Sequence, residues 1–159
     1  QSMSLDVHQL SPNEVALMET LLATFGEAFN DMETYTGNRP RGAYSRRLLE
    51  SDYFIALAAL EYGEIVGGLA AYELKKFEQE RSEIYIYDLA VAKAHRRRGI
   101  ATALIEKLKE LGAARGAYVI FVQADTAIED EPAIALYSKL GVREEVLHFD
   151  IPVSQNNVD

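Results

Sequence analysis

The chain lacks cysteine entirely, and it has few histidines and no long apolar run. The absence of cysteine excludes disulfide bonds, thiolate nucleophiles and cysteine-ligated zinc. The three histidines, His8, His95 and His148, are scattered along the chain, so we expect no metal site. No segment approaches the roughly 20 apolar residues of a membrane-spanning helix, and no secretory leader is visible. These absences predict a cytoplasmic protein that binds neither a metal nor a membrane.

Basic residues are in the minority. There are 16 Lys and Arg residues against 25 Asp and Glu residues, which gives a formal net charge of −9. Proteins that bind nucleic acid are usually basic, so this charge disfavours a nucleic-acid partner. An acidic surface attracts cationic small molecules, although acidity can also serve solubility alone. The charge therefore favours a cationic small-molecule substrate.

What remains is the composition of an ordinary globular domain, with 48% apolar and 26% charged residues. A chain of 159 residues fits one domain with one sizeable core. We expect that domain to span residues 3–153. Gln1 and Ser2, which precede Met3, are interpreted as a cloning remnant, and 154–159 as a frayed tail.

One stretch, 82–108, combines a strand, a basic turn and a helix. Ile84–Val91 is an apolar run typical of a strand buried on both faces, and Asp88 is the one charge inside it. Three arginines and Gly99 follow a short polar connector, and apolar residues recur at helical spacing from Ile100 onward.

The basic turn of this stretch is suited to an anion. The first N–H groups of a helix have no partner within the helix and carry the positive end of its dipole. Gly99 would allow a diphosphate to approach the backbone, and Arg96, Arg97 and Arg98 would add charge. From the chemistry alone, a solvated basic loop ahead of an amphipathic helix is an equally good interpretation. The spacing is neither that of a P-loop nor GxGxxG.

Periodicity and turn residues predict an α/β fold with a mixed, α+β-like sheet in the order β-α-α-β-β-β-α-β-α-β. Ser11 to Glu14 reads as a capping box that starts the first helix, and 30–41 reads as a loop. The two central strands should be parallel neighbours because a helix joins them. The predicted strands are 4–10, 53–60, 65–74, 84–91, 117–124 and 142–151, and the predicted helices are 12–30, 43–49, 100–111 and 131–140.

Two motifs resemble those of the GNAT superfamily of N-acetyltransferases. Arg96-x-x-Gly99-x-Ala101 resembles the family's pyrophosphate motif, (Gln/Arg)-x-x-Gly-x-(Gly/Ala). Asp130 to Gly141 resembles its Asn-x-x-Ala-x-x-x-Tyr-x-x-x-Gly segment, with Asp130 in place of the usual Asn. The resemblance implies acetyl-CoA as the cofactor and a central parallel strand pair that splays apart to admit its pantetheine arm. The implied cofactor-binding residues are Leu89, Ala90, Val91, Arg96, Arg97, Arg98, Gly99, Ile100, Ala101, Thr102, Asp130 and Tyr137.

Two residues are catalytic candidates. Tyr137 falls on the family's tyrosine that protonates the leaving thiolate of coenzyme A, although by helical spacing alone it reads as a core aromatic residue. Asp88 is a candidate general base, because an acceptor amine must lose a proton before or during attack. A hydrogen-bonded or ion-paired core aspartate is the alternative interpretation of Asp88.

A narrower similarity covers about residues 15–151. Segments such as Arg81 to Val91, Gln123 to Asp125 and Arg143 to Asp150 resemble the aminoglycoside 3-N-acetyltransferases of the gentamicin-resistance type. This similarity implies acetylation of the 3-amino group of the 2-deoxystreptamine ring, and so antibiotic resistance. The candidate substrate-binding residues are Asp31, Glu83, Tyr87, Asp88, Asp125 and Asp150.

Three other hypotheses stay open. A GNAT enzyme for polyamines or another small amine would face a substrate of the same charge. A non-catalytic acyl-CoA sensor would keep the basic turn but would not need Asp88 or Tyr137. A basic nucleic-acid patch at 96–98 is disfavoured by the acidity of the whole chain. A homodimer is also left open.

Overall fold

The computed structural model describes residues 4–154, apart from the side chain of Ile128. The expectations for Gln1 and Ser2 and for most of the tail lie outside these residues. No helix in the described part of the chain is long and apolar enough to cross a membrane. The chain divides into two compact units, Gln1–Gln123 and Ala124–Asp159.

The first unit is built around a five-stranded sheet in the order β1-β2-β3-β4-β5. Its neighbouring strands are antiparallel except for β4 and β5, which are parallel. The predicted mixed sheet with these two strands as parallel neighbours is therefore confirmed, although β5 is the edge strand of the five described. The elements of this unit are β1 (Leu5–Gln9), α1 (Val15–Ala28), α2 (Met32–Thr36), α3 (Gly42–Glu50), β2 (Phe54–Glu61), β3 (Glu64–Lys75), β4 (Ser82–Val91), α4 (Ile100–Arg115) and β5 (Ala117–Val122), with a 3-10 turn at Lys93–His95.

Two adjacent glycines of β3 show that α1 and α4 lie on opposite faces of the sheet. A Cβ atom placed on Gly67 would lie 3.1 Å from Cγ2 of Ile100 in α4, and one placed on Gly68 would collide with Leu21 of α1. Successive residues of a strand point to opposite faces, so the two helices cover different sides.

The start of α1 differs from the prediction. The helix begins at Val15 rather than Pro12. The carboxylate of Glu14 accepts a hydrogen bond from the N–H of Ser11 at 2.7 Å and lies 2.9 Å from a ring nitrogen of His8. The N–H of Glu14 donates to the carbonyl of Ser11 at 3.0 Å. Residues 11–14 therefore close a turn of their own ahead of the helix.

The segment 30–41, predicted as a loop, contains the five-residue helix α2. Asn30, with φ of 54°, ends the path of α1, and the N–H of Asp31 donates to the carbonyl of Gly26 at 2.8 Å. A side-chain oxygen of Asp31 then accepts from the N–H of Thr34 at 3.1 Å and caps the new helix. A helix this short has no periodicity to detect.

The described residues of the second unit, 124–154, contain a 3-10 turn at Ile128–Asp130 and the helix α5 (Glu131–Leu140). The strand predicted over 142–151 was wrong, since 142–154 has no regular secondary structure. A strand forms only when its N–H and C=O groups meet another strand, and the rest of this described unit is helix, turn and loop. The fifth predicted strand also ends at Val122 rather than Ala124.

Candidate active site

A β-bulge in β4 decides where Asp88 points. Ala71 pairs with Ile86 but Ala70 pairs with Asp88, so Tyr87 is an extra residue in the ladder. Ahead of the bulge, Ile84 faces α4, because a Cβ atom placed on Gly112 of that helix would lie 3.1 Å from its Cδ1. In a regular strand Asp88 would face the same way as Ile84. The extra residue turns it to the opposite face, the side of α1 and α2.

On that face, Asp88 is half-buried and hydrogen-bonded. The hydroxyl of Tyr35, in α2, donates to Oδ2 of Asp88 at 2.9 Å. Burial raises the pKa of the Asp88 carboxyl above its usual range, and the hydrogen bond from Tyr35 partly opposes this. Within residues 4–154 no ion pair includes Asp88. Its charge is therefore not cancelled by a cationic side chain of the described chain.

Tyr35 was not identified from the sequence. Its ring lies 5.9 Å from that of Phe25 and 5.7 Å from that of Phe29, so the C-terminal half of α1 holds it in place. The contact with Asp88 joins residues 53 positions apart. The one sequence signal for Tyr35 is that it is an aromatic residue in an otherwise polar segment, and that signal is weak.

Aromatic rings surround the bulge on the same face. Tyr87 makes edge contacts with Tyr72, at 5.8 Å between centroids, and with Tyr85, at 6.0 Å. The ring of Tyr85 stacks on that of Phe121 at 4.9 Å. Tyr87 is 59% exposed, so it presents ring surface beside the carboxylate of Asp88. Aromatic faces attract cations and the apolar faces of saturated rings.

Beyond the bulge, β4 continues without β5. The parallel pairing ends at Ile86 and Val122, whereas β4 runs on to Val91. The N–H of Ala92 donates to the carbonyl of Val66 at 2.8 Å. Because successive residues of a strand direct their N–H and C=O groups to opposite sides, those of Val91 point away from β3. This open edge, Leu89–Val91, fits an extended amide chain such as pantetheine. The carbonyl of Val91 currently accepts from Nε of Arg96 at 3.0 Å.

The turn at 96–99 offers backbone more than arginine side chains. Gly99 has φ of 80°, and among residues 4–154, its two chain neighbours aside, no heavy atom lies within 4 Å of the position of a Cβ on it. Ile100 begins α4, whose first N–H groups have no partner within the helix. Arg98 is paired with Glu61 at 2.6 Å, and Arg97, with φ of 65°, is exposed. Open space above unpartnered N–H groups fits a pyrophosphate.

A cleft of about 250 Å³ adjoins this open edge. Thr24, Glu27 and Ala28 line it from α1, and Ala92 and Lys93 line it from the connector that follows β4. Its walls carry one carboxylate and one ammonium group. The cleft therefore lies between α1 and the residues that directly follow β4.

Two predicted substrate-binding residues of the first unit already have partners. Glu83 accepts from the hydroxyl of Tyr118 at 2.9 Å and from Nζ of Lys76 at 3.1 Å. The hydrogen bond from Tyr118, followed by that from Lys76, lowers the pKa of Glu83. Asp31 is the cap of α2, and its hydrogen bonds to Thr34 lower the pKa of its carboxyl. Of the candidates in this unit, Glu83, Tyr87 and Asp88 all lie on β4, and Tyr87 and Asp88 are adjacent at the bulge.

The remaining candidates lie in the second unit. Asp130 occupies the N-cap position of α5, but its Oδ2 accepts from the N–H of Asp125 at 2.7 Å rather than from the helix. Asp150 pairs with His148 at 2.9 Å in the segment without regular structure. Tyr137 is half-buried on α5, where burial, and then the charge of Asp130, raise the pKa of its hydroxyl. A raised pKa keeps this hydroxyl protonated and able to donate.

Comparison with known proteins places these features in context. The profile of the acetyltransferase (GNAT) family matches residues 15–142. The crystal structure of an aminoglycoside acetyltransferase, meta-AAC0020, from an uncultured soil metagenomic sample, in complex with sisomicin, is 30% identical and superposes with a TM-score of 0.85. That match covers 94% of this chain and 97% of the other. Among curated proteins the chain has no match.

Two further structures are similar in fold. A ribosomal-protein-alanine N-acetyltransferase from Brucella melitensis biovar Abortus 2308 is 23% identical, with a TM-score of 0.74 over 95% of this chain and 100% of that one. Aminoglycoside N-acetyltransferase AAC(6')-Iy in complex with CoA is 18% identical, with a TM-score of 0.72 over 96% and 97% of the two chains.

Proposed function

The chain belongs to the acetyltransferase (GNAT) family and is an acetyl-CoA-dependent N-acetyltransferase, and we propose that it acetylates the 3-amino group of 2-deoxystreptamine aminoglycosides such as gentamicin. The reaction would confer resistance to these antibiotics. Because it consumes acetyl-CoA, we place it in the cytoplasm. The oligomeric state is to be measured, with a homodimer as the assembly to test for.

The observation that carries the proposal is the placement of Asp88. The bulge at Tyr87 puts a half-buried carboxylate with a raised pKa directly ahead of the open edge of β4. A cationic acceptor needs a group that attracts its ammonium and then accepts a proton, and a general base works best when its pKa approaches the operating pH. Asp88 meets both needs without a competing cation among the described residues.

Support for an aminoglycoside acceptor comes from charge and similarity. The net charge of −9 suits a polycationic sugar. The metagenomic enzyme that is 30% identical over 94% of this chain was crystallised with sisomicin. The 3-amino position rests on the sequence resemblance described above. The proposed substrate-binding residues remain Asp31, Glu83, Tyr87, Asp88, Asp125 and Asp150.

In the proposed mechanism, the backbone of Ile100, Ala101 and Thr102 holds the pyrophosphate and the edge at Leu89–Val91 holds the pantetheine arm. Acetyl-CoA supplies the acetyl group as a thioester, whose C–S bond breaks as the new C–N bond forms. N–H groups of the same edge would stabilise charge that develops on the thioester oxygen.

Two side chains move protons in this scheme. Asp88 accepts a proton from the acceptor ammonium, which frees the nitrogen lone pair for attack on the acetyl carbon. Tyr137 donates its hydroxyl proton to the leaving thiolate and regains one afterwards. Two protons leave the nitrogen in total, of which one ends on the thiol and the other in solvent. Because the chain has no cysteine, no cysteine acyl-enzyme can form, and the acetyl group passes directly to the amine.

A panel of acceptors tests the assignment. Purified protein with acetyl-CoA should turn over gentamicin and sisomicin faster than spermidine or a peptide amine, and NMR of the product should place the acetyl group on the 3-amino nitrogen. Brisk turnover of spermidine alone would replace the substrate and keep the enzyme class. Binding of acetyl-CoA with no turnover of any amine would favour a sensor. Acetylation at the 6'-nitrogen would contradict the proposed position.

A further inference from the structure

We propose that Tyr35 is a positioning residue for acetyl transfer: its hydroxyl fixes Oδ2 of Asp88 and directs Oδ1 toward the acceptor amine. The inference rests on the proposed role of Asp88 as general base. Tyr35 acts through Asp88, so it need not contact the acceptor.

The first ground is geometric. The phenol oxygen lies 2.9 Å from Oδ2 of Asp88, a normal hydrogen-bond distance. One hydrogen bond occupies one carboxylate oxygen and restricts rotation of the group. A general base needs a defined oxygen in reach of the proton that it takes. A fixed Oδ2 leaves Oδ1 as that oxygen.

The second ground is that the protein holds Tyr35 in place from two sides. Its ring contacts those of Phe25 and Phe29. The helix that carries it is capped by Asp31, whose carboxylate also accepts from the hydroxyl of Thr34 at 2.7 Å. The donor to Asp88 is thus part of a packed junction between α1 and α2.

A close approach between the two helices tightens this junction. A Cβ atom placed on Gly26 of α1 would lie 3.2 Å from Cα of Met32, the first residue of α2. A larger residue would therefore push α2 away from α1. The absence of a side chain at Gly26 lets α2 turn back close to α1, with Tyr35 one turn further along.

The third ground is electrostatic. Among the described residues, the charge of Asp88 raises the pKa of three phenols, those of Tyr35 on α2, Tyr72 on β3 and Tyr85 on β4. Burial, and then the charge of Asp88, raise the pKa of Tyr35 well above its usual range, so it remains a donor across the physiological range. Since its hydrogen bond lowers the pKa of Asp88, removing it should raise that pKa.

Tyr35→Phe tests the inference without substrate. The variant keeps the ring among Phe25 and Phe29 and loses only the hydroxyl. Carbon-13 NMR titration of the Asp88 carboxyl should show its pKa rising above that of the wild type, because the hydrogen bond that favours the ionised form is lost. Tyr72→Phe is the matched control and should leave the Asp88 pKa unchanged, because Tyr72 faces Asp88 with no hydrogen bond to it.

Kinetics with gentamicin give the second readout. A base must be deprotonated, so kcat/KM falls as pH drops through the Asp88 pKa, and in Tyr35→Phe this acid limb should move to higher pH by the amount seen in the titration. Above that pH, a loss of about tenfold should persist from the lost orientation. An Asp88 pKa equal to that of the wild type would overturn the inference, as would full recovery of kcat/KM at high pH. Failure of the wild type to acetylate any aminoglycoside would instead refute the proposed function.

Discussion

The two sides of the proposed site, the cofactor side and the acceptor side, differ in how far apart in the sequence their residues lie. The cofactor side is one continuous stretch, Leu89–Thr102, in which a strand edge leads into a turn and a helix start. The acceptor side joins Asp88 to Tyr35, which lies 53 residues earlier in the sequence. It also depends on the bulge at Tyr87, which turns Asp88 toward Tyr35. The first side depends on backbone conformation, and the second depends on tertiary contacts. Substitutions on the cofactor side should therefore change mainly KM for acetyl-CoA, and substitutions on the acceptor side should change mainly kcat.

The largest effect is expected at Asp88. Asp88→Asn keeps the shape and can still accept from Tyr35, but it cannot take a proton at neutral pH. General bases contribute about 10²–10⁴-fold, so kcat for gentamicin should fall by at least about 10²-fold. Affinity for acetyl-CoA, measured by calorimetry, should stay within about threefold. Full activity of the variant would place the base elsewhere, with Asp125 and Glu83 the next carboxylates to substitute.

The second effect belongs to the proton donor. Tyr137→Phe keeps the ring and removes the hydroxyl, so kcat should fall in the same range, about 10²-fold, with little change in either KM. Ser138→Ala is the control, because Ser138 is the next residue of α5 and is exposed. Its kcat should be close to that of the wild type. A kcat within about threefold of the wild type would reduce Tyr137 to a structural residue or show that chemistry is not rate-limiting.

The cofactor side can be broken through one glycine. Gly99→Val places a branched side chain at φ of 80°, in the space proposed for the pyrophosphate. KM for acetyl-CoA should rise by about tenfold or more, while kcat at saturation changes less. Gly116→Val is a matched control, since Gly116 has φ of 86° and lies at the opposite end of the same helix. If both variants have the same KM for acetyl-CoA, the turn does not bind it.

The smallest effect separates two neighbouring arginines. Arg97 is exposed in the turn, whereas Arg98 is paired with Glu61, whose side chain is 13% exposed. Arg97→Gln should raise KM for acetyl-CoA severalfold, more so at low salt. Arg98→Gln should change KM less and lower the thermal midpoint slightly, because it removes a partner from Glu61. Equal KM values in the two variants would contradict this division.

Local patterns account for most of what could be predicted. The parallel pair, the hairpin between β2 and β3, and the helices α3 to α5 follow from residues near each other in the sequence. Gly99 marks a left-handed position ahead of a helix, and a left-handed residue there nearly requires glycine. The turn and the strand could therefore be predicted as structural elements, whereas their role in holding acetyl-CoA comes from the motif resemblance and stays a prediction.

What could not be predicted depends on partners distant in sequence. The capping box at 11–14 has the right residues, but Glu14 is also in contact with His8 on the preceding strand. The segment 142–151 has the composition of a strand, but nothing in its own sequence reveals whether another strand is there to pair with it. Tyr35 lies on a five-residue helix and gains its meaning only from Asp88. In each case tertiary context outweighs local preference.

The bulge at Tyr87 shifts the alternation of side chains along β4 by one residue. Before the bulge the side chains alternate regularly, with Ile84 turned toward α4, and after it the alternation is shifted by one residue, with Asp88 turned toward α2. Deleting one residue here would restore the regular alternation of side chains. The Asp88 carboxylate would then point to the apolar face that packs on α4. Transplanting this acceptor chemistry onto another sheet would thus require an inserted residue as well as an aspartate, and a sequence comparison that scores only identities would miss that requirement.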